Sequence, residues 1–240
     1  INIQDLKSKI SSKTKFIIIN SPNNPTGRVM LKEELLQIAE VLRENKNIYV
    51  LSDEIYELIL KKEFKHFSLA SLATDLKERI FIINGFAKGW AMTGWRVGYL
   101  VGQKDVIKAS SALQSQSTSN VCSFVQRGAL EALKVNREFF LEINSHYDLR
   151  REVLYKGLKN IEGLYIYPPN GAFYAFPRLP NNSLTSVEFC KRILNDYGLV
   201  VVPGKPFGDD QCIRISCASS KEKILDGLTR LEKGILNYYF

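Results

Sequence analysis

The sequence predicts an α/β fold in which a mostly parallel sheet is flanked by helices, followed by a smaller α+β C-terminal domain. Near-continuous apolar runs alternate with helical patterns in the first part of the chain, which is typical of parallel strands buried on both faces. Residues 161–240 instead mix shorter strands with helices. The chain has 240 residues, 45% of them hydrophobic, so it is long enough to form a sizeable core.

Four strands are predicted in the first part of the chain. They are KFIIIN (residues 15–20), IYVLSDE (48–54), RIFIIN (79–84) and RVGYLVG (96–102). Between the first two, LKEELLQIAEVLREN (31–45) places its leucine, isoleucine and alanine residues at helical spacing, which completes a βαβ unit. The turn SPNNPTG (21–27) follows the first strand.

The domain organisation follows from these patterns. We predict that residues 1–125 form a first, ligand-binding domain, that 126–160 form a long connecting helix, and that 161–240 form a small domain. Within the small domain, helices are expected near residues 186–197 and from 220 to about 236.

Composition excludes several classes of function. The formal net charge of +8 could favour nucleic acid, but the basic residues are scattered, and the densest cluster, LKKEFKHF (60–67), is short and contains a glutamate. A solvated basic face explains them, so we expect no nucleic-acid partner. No apolar run is long enough to span a bilayer and the N-terminus has no signal-peptide pattern, so we expect a soluble protein with no membrane partner.

Cysteine and histidine spacing gives no metal site. The cysteines show no CxxC pair, and His66 and His146 do not complete a ligand set. We interpret the cysteines as reduced, buried thiols of a cytoplasmic protein. They are Cys122, Cys190, Cys212 and Cys217.

Special residues follow three of the predicted strands. Asn24 lies in the turn after the first strand, Asp53 ends the second, and Lys88 follows the third. In open parallel sheets, ligands bind beyond the carboxyl ends of the strands, so these side chains are candidates for one site. Asp53 and Tyr56 are three residues apart and would project from one side of a helical turn. A helix N-cap at Asp53 is the alternative interpretation.

The strand IYVLSDE also resembles the acidic strand that holds magnesium in P-loop ATPases. That class requires G-x-x-x-x-G-K-[ST], which is absent from the sequence. The one Gly-Lys pair, Gly204-Lys205, precedes Pro206. The sequence therefore disfavours an ATPase.

The stretch NGFAKGWAMTGWRVGYL (84–100) contains a lysine and an arginine among glycines. A lysine that reacts with a carbonyl compound needs a neutral amine, which burial and nearby cations favour. Arg96, eight residues after Lys88, suits a phosphate because its fork donates two hydrogen bonds. A carbonyl bound by lysine and a phosphate bound by arginine describe pyridoxal 5'-phosphate.

Six motifs together resemble the class I/II pyridoxal-phosphate-dependent aminotransferases, the aspartate aminotransferase family of fold type I. They occur in the family's order over essentially the whole chain. They are NSPNNPTG, SDEIY, NGFAKGWAMTGWRVGYLVG, PPNGAFYAFP, GLVVVPGKPFG and CIRISCA.

The resemblance implies a role for each matching residue on the cofactor side. Lys88 would form a Schiff base with the cofactor and shuttle a proton during catalysis. Asp53 would pair with the pyridinium nitrogen, so that the ring accepts electrons. Tyr56 and Asn24 would hydrogen-bond the phenolic oxygen, and Arg96 would bind the phosphate.

On the substrate side, the resemblance implies that Arg214, in CIRIS, binds the α-carboxylate bidentately with Asn24 nearby. Without the resemblance, Arg214 would be interpreted as a surface arginine on an edge strand. The resemblance also makes Asn24-Pro25 a candidate cis peptide.

Two departures from the family pattern are visible. Many relatives have serine three residues before the lysine and often one directly before it, where this chain has Gly85 and Ala87. The chain also lacks the family's N-terminal portion, which supplies a phosphate-binding glycine loop and an aromatic residue that stacks on the pyridine ring. The resemblance therefore makes residues 1–125 the C-terminal part of a large cofactor-binding domain. We expect a truncated aminotransferase that binds its cofactor weakly or not at all alone and is inactive by itself.

The leading hypothesis is an aminotransferase that moves an amino group between an amino acid, aspartate or a similar one, and a 2-oxo acid. A pyridoxal-phosphate lyase of the same fold and a catalytically inactive fragment are the alternatives, because fold does not fix the reaction. The resemblance further implies a homodimer, with residues 117–120 near its interface.

Overall fold

The computed structural model describes residues 1–180 and 184–240, which fall into two compact units. The first unit contains Ile1–Pro22, Met30–Leu58 and Lys65–Phe140. The second unit contains Asn23–Val29, Ile59–Phe64 and Leu141–Phe240. Two short segments of the first half of the chain thus belong to the second unit.

The first unit is an α/β arrangement around a four-stranded sheet. Its elements are α1 (Ile3–Lys9), β1 (Phe16–Asn20), α2 (Lys32–Glu44), β2 (Tyr49–Asp53), α3 (Leu69–Leu72), β3 (Ile80–Gly85), β4 (Gly98–Val101), α4 (Lys104–Ser117) and α5 (Ser123–Ala132).

The strands of this sheet lie in the order β1-β2-β3-β4. The first three are parallel and β4 pairs with β3 in the antiparallel direction, so the prediction of a mostly parallel sheet flanked by helices is confirmed. The register places Asn20 opposite Asp53, which aligns the carboxyl ends of β1 and β2. Polar residues after these strands therefore meet at one edge of the sheet.

One face of the sheet is covered by apolar side chains. Ile19 and Val50 pack into a core with Leu35, Ile38 and Leu42, which α2 presents at helical spacing. Their burial stabilises this unit through the hydrophobic effect.

The other face of the sheet carries a cluster of aromatic rings. Phe16, Tyr49 and Phe81 lie with ring centroids 5.7 to 6.4 Å apart. Phe16 is 53% exposed, and Ile18, two residues along β1, is 70% exposed. Phe81 is buried beneath this surface, and we call Phe16, Ile18 and Tyr49 the open face of the first unit.

The second unit combines helices with a three-stranded antiparallel sheet in the order β5-β7-β6. Its elements are α6 (Arg137–Asn160, most of which belongs to this unit), β5 (Tyr174–Ala175), α7 (Ser186–Tyr197), β6 (Val202–Pro203), β7 (Ile213–Ser216) and α8 (Lys221–Tyr239).

Helices pack over the small sheet of the second unit. Phe189 and Ile193 of α7 are fully buried with Ile213 of β7 and Ile235 of α8. A capping box begins α7, because the Thr185 side chain accepts from the Glu188 N–H and the Glu188 carboxylate accepts from the Thr185 N–H. The predicted helix at residues 186–197 is confirmed.

The segment predicted as one helix over residues 126–160 contains α5 and α6, which are separate helices. The single-helix prediction is therefore wrong, since the chain turns between Ala132 and Arg137. The compact units also divide the chain at Phe140, whereas the predicted domain boundaries at 125 and 160 stay a prediction.

The cysteines differ in exposure. Cys212 and Cys217 are buried and Cys190 is half-buried, as free thiols. Cys122 is exposed, so the prediction of four buried thiols is wrong there, because Cys122 directly precedes α5 and faces solvent. Within the described ranges, no helix combines the length and apolar character needed to cross a membrane.

Candidate active site

Asp53 ends β2 of the first unit and is half-buried. Its Oδ1 accepts a hydrogen bond from the Ile55 N–H at 3.2 Å, and its backbone oxygen accepts from Asn20 Nδ2 at 3.2 Å. Burial raises the pKa of the Asp53 carboxyl above its ordinary value, and the charge of Glu54 adds to this, whereas the Ile55 hydrogen bond lowers it. A desolvated carboxylate of this kind is stabilised by a cationic partner.

Residues 54–57 form a turn, in which the Glu57 N–H donates to the Glu54 carbonyl at 2.8 Å. Asp53 therefore begins a turn, and the alternative of a helix N-cap is wrong because no helix follows β2 directly. The turn buries Tyr56, which is 4% exposed.

Lys88 lies next to this turn. Its Nζ is 5.8 Å from the centroid of the Tyr56 ring, and its side chain is half-buried. The first unit thus brings together the lysine after β3 and the tyrosine after β2, although they are 32 positions apart in the sequence.

Lys88 and Arg96 share the loop that joins β3 to β4. Gly85 and Gly98 pair at its base, and the Phe86 N–H donates to the Val97 carbonyl at 3.3 Å. Arg96 is exposed and has a positive φ of 53°, which is unusual for a residue with a Cβ. Its guanidinium donates to the Thr93 carbonyl at 3.1 Å. Lys88 and Arg96 therefore lie on one loop of the first unit, ahead of the strand that was predicted to include Arg96.

The structure explains why glycine occupies position 85. A Cβ there would lie 2.8 Å from the Gly98 Cα and 2.9 Å from the Val97 carbonyl oxygen. A serine would therefore force β3 and β4 apart, so the departure from the family's serine follows from close backbone approach.

A buried polar cluster adjoins the Asp53 turn. Glu54 is 4% exposed, and its carboxylate accepts from Ser52 Oγ and Ser68 Oγ, each at 2.9 Å, and lies 3.1 Å from His66 Nε2. Glu57 accepts from Asn84 Nδ2 at 2.6 Å.

Burial raises the pKa of Glu57, and Glu54 also raises it, whereas the Asn84 hydrogen bond and His66 lower it. Glu54, Glu57 and His66 each offer one carboxylate oxygen or ring nitrogen, and these three atoms lie within 4.8 Å of one another. This spacing could hold a metal ion. Sequence spacing does not relate these three residues, and the interpretation that His66 completes no metal set stays a prediction. Hydrogen bonds from protein groups already satisfy both carboxylates.

In the second unit, Arg214 of β7 lies beside Asn24. The guanidinium donates to Asn24 Oδ1 at 2.9 Å, which joins residues 190 positions apart. The guanidinium carbon lies 4.6 Å from the centroid of the Tyr174 ring and 5.1 Å from that of Phe207. Arg214 is half-buried and β7 is the central strand of its sheet, so the interpretation as a surface arginine on an edge strand is wrong.

The loop that carries Asn24 is held by backbone hydrogen bonds within the second unit. The Gly27 carbonyl accepts from the Asn170 and Gly171 N–H groups, each at 2.8 Å. Gly27 has φ of 69°, and a Cβ there would lie 2.6 Å from the Tyr174 carbonyl oxygen, so only glycine fits. The Asn24-Pro25 peptide is cis, as predicted.

The family model described as aminotransferase class I and II matches residues 1–231. The chain belongs to this aminotransferase family. A probable aspartate/prephenate aminotransferase of Rickettsia felis is 40% identical over 243 residues, which cover 97% of this chain and 59% of that protein.

Solved aminotransferase structures match the fold of the chain. An aromatic aminotransferase from Pyrococcus horikoshii has a TM-score of 0.93 and 37% identity, covering 99% of this chain and 64% of its own. An aspartate aminotransferase of Thermus thermophilus, solved with maleate, has a TM-score of 0.89 and 37% identity. The match covers 98% of this chain and 60% of the Thermus thermophilus chain. The chain thus spans about three fifths of the length of these aminotransferases.

Four residues that adjoin predicted site residues within their own units received no role from the sequence patterns. Tyr174 and Phe207 lie in motifs that were used for the family resemblance but received no role. Glu57 and Asn84 were also not predicted, although Asn84 is the last residue of one predicted strand and Glu57 lies three residues after another. Their position next to strand ends is the signal that could have found them.

The first unit offers groups that suit a pyridine ring and an aldehyde. Asp53 supplies a desolvated carboxyl, and Lys88 supplies an amine 5.8 Å from the Tyr56 ring. Arg96, exposed on the same loop as Lys88, could bind an anion. The residues present therefore fit pyridoxal phosphate.

Proposed function

We propose that this chain acts in a pyridoxal-phosphate-dependent aminotransferase that moves an amino group between an amino acid and a 2-oxo acid. The observation that carries the proposal is the grouping of Lys88, Tyr56 and Asp53 at the carboxyl ends of parallel strands in the first unit. Pyridoxal phosphate, when bound, supplies an aldehyde carbon and a ring that accepts electrons.

Three residues of the first unit would hold the cofactor. Asp53 would accept a hydrogen bond from the protonated ring nitrogen, which would supply the cationic partner that its desolvated carboxyl favours. Tyr56 would donate its phenolic hydrogen to the ring oxygen. Arg96 would bind the phosphate with its guanidinium fork.

Lys88 would serve as the nucleophile and then as the proton carrier. Its amine must be neutral to attack a carbonyl carbon, and it lies half-buried beside the Tyr56 ring. Once released from the cofactor, the same amine would accept the proton that leaves the substrate Cα and would donate it again to another atom within the site.

Arg214 and Asn24 would bind the substrate carboxylate in the second unit. The Tyr174 and Phe207 rings restrict the guanidinium, so its orientation is largely fixed before a ligand arrives. Such preorganisation lowers the entropy cost of binding. Asn24 would accept from Arg214 and donate to the ligand.

Aspartate or a similar amino acid is the proposed amino donor. Support comes from the Rickettsia felis relative, named for aspartate and prephenate, and from the Thermus thermophilus structure with maleate, a four-carbon dicarboxylate. The aromatic aminotransferase among the structural matches shows that this fold also serves other side chains.

The test is trapping of the cofactor on Lys88. The full-length protein is incubated with limiting pyridoxal 5'-phosphate, reduced with borohydride and digested, and labelled peptides are identified by mass spectrometry. Label is expected first at Lys88 and should be lost in Lys88→Ala, whereas Lys13→Ala, at an exposed lysine, should leave it unchanged. Preferential label at another lysine would disprove the assignment.

The products distinguish the reaction types. With aspartate and no 2-oxo acid, an aminotransferase should yield the 2-oxo acid and aminated cofactor in equal amounts. Release of ammonia without aminated cofactor would indicate a lyase. We also propose a homodimer with residues 117–120 near its interface, which light scattering can test.

A further inference from the structure

We infer that Asn84 and Glu57 are positioning residues whose hydrogen bond ties the Lys88 loop to the Asp53–Tyr56 turn. This inference rests on the proposed function for its consequence at Lys88. The tie itself lies wholly within the first unit and can be measured without a cofactor.

Asn84 stands at the junction of β3 and the loop. It is 4% exposed, and its Oδ1 accepts from the Gly85 N–H at 2.7 Å. Gly85 pairs with Gly98 at the base of the loop that carries Lys88. One end of the Asn84 carboxamide therefore fixes the point from which this loop leaves the sheet.

The other end of the carboxamide reaches the neighbouring turn. Asn84 Nδ2 donates to Glu57 Oε1 at 2.6 Å, and Glu57 belongs to the turn that follows Asp53. A short bond from a buried amide to a carboxylate is among the stronger hydrogen bonds in proteins. A single side chain thus contacts both segments that carry the candidate cofactor residues.

The turn is fixed a second time, through Glu54. Its carboxylate is held by Ser52, Ser68 and His66, and its N–H donates to the Ile83 carbonyl at 2.9 Å. Because Glu54 anchors the start of the turn, motion at Glu57 cannot be absorbed by displacing the whole turn. The Asn84–Glu57 bond therefore makes the position of Tyr56 depend on the position of β3. The Tyr56–Lys88 contact depends on it in turn.

The chemistry of the pair permits a rescue experiment. In Asn84→Asp, two carboxylates would face each other in a buried place, and the donor to Glu57 is lost. In Glu57→Gln, the amide oxygen can still accept from Asn84. In the double variant that combines both changes, the new amide at position 57 would donate to the new carboxylate at position 84, which restores the bond with donor and acceptor exchanged.

The experiment measures hydrogen exchange in the cofactor-free chain at mildly alkaline pH. Asn84→Asp should speed exchange by about tenfold or more at both Gly85 and Glu57, because a broken buried bond frees both segments. Glu57→Gln should change the exchange rates little. In the double variant, the exchange rates of both segments should return towards those of the wild type. Asn47→Asp, the same change at an exposed turn of this unit, is the control and should have no effect.

A second measurement links the tie to Lys88. The ratio of pyridoxal phosphate label at Lys88 to that at exposed Lys13 should fall in Asn84→Asp and recover in the double variant. Faster exchange confined to the residues around Gly85, or failure of the double variant to restore both readouts, would overturn the inference. If the full-length wild-type protein shows no preference for Lys88, the proposed function fails, while hydrogen exchange still decides whether the tie exists.

Discussion

In the first unit, Asp53, Tyr56 and Lys88 stand on a turn and a loop that follow parallel strands, and buried polar groups fix both segments. In the second unit, Arg214 lies between two aromatic rings on a small antiparallel sheet packed against an apolar core. The first arrangement depends on hydrogen bonds to carboxylates, so charge and pH should disturb it. The second depends on packing, so loss of volume should disturb it.

The largest effect is expected from a substitution that creates a cavity in the core of the second unit. Phe189 is fully buried between helices and contacts the rings of Tyr238 and Tyr239. Phe189→Ala should lower the free energy of unfolding by about 3–5 kcal/mol. Urea denaturation measures this, and Phe124→Ala, at a 71% exposed site, should stay within about 0.5 kcal/mol of wild type. Equal losses in the two variants would contradict the packing explanation.

The next effect concerns ligand binding by the second unit. Arg214→Lys should weaken binding of every amino acid by about 1.5–3 kcal/mol, since lysine cannot form the bidentate hydrogen bond to a carboxylate. Calorimetry with aspartate and an aromatic amino acid should give the same loss for both. A loss for only one of them would mean that Arg214 reads the side chain.

A smaller change tests the close approach of β3 and β4. Gly85→Ser should destabilise the first unit by about 1–3 kcal/mol, because the added Cβ meets backbone atoms at 2.8 and 2.9 Å. Gly94→Ser is the matched control, since a Cβ at that position would have no atom within 4 Å. If both glycines tolerate serine equally, strand spacing does not explain the departure from the family pattern.

The smallest effect is the pH dependence of the first unit. The pKa of Glu57 is raised in the folded chain, so its protonated form favours folding, and stability falls as pH rises from below 4.5 through the raised value. Glu57→Gln removes this titration and should become more stable relative to wild type over that range. Denaturation curves of both proteins at several pH values measure this. If Glu57 were not desolvated, the difference in the free energy of unfolding between Glu57→Gln and wild type would be the same at every pH.

Local patterns predicted the first unit better than the second. Near-continuous apolar runs located β1 to β3 because those strands are buried in a parallel sheet. In the second unit, β5 and β6 have only two residues each, too few for a periodic pattern. The break between α5 and α6 also escaped detection, because no proline or glycine occurs in residues 133–136.

The order of the sequence motifs pointed to candidate site residues. It gave no information on contacts between residues that are far apart in the sequence. Lys88, Asp53 and Tyr56 became candidates because each lies at the end of a strand or just after it. The Arg214–Asn24 bond joins residues 190 positions apart and the Asn84–Glu57 bond joins residues 27 apart, so spacing could not reveal them. Such pairs depend on register and loop course, which only the folded chain defines.

The open face of the first unit has a consequence for how the chain behaves in solution. Phe16 and Ile18 expose a large apolar area on an edge strand, which favours association between molecules. The net charge of +8 opposes this by mutual repulsion at low ionic strength. Because added salt screens that repulsion while the apolar attraction persists, the chain should aggregate as salt concentration rises, and Ile18→Lys should delay the onset.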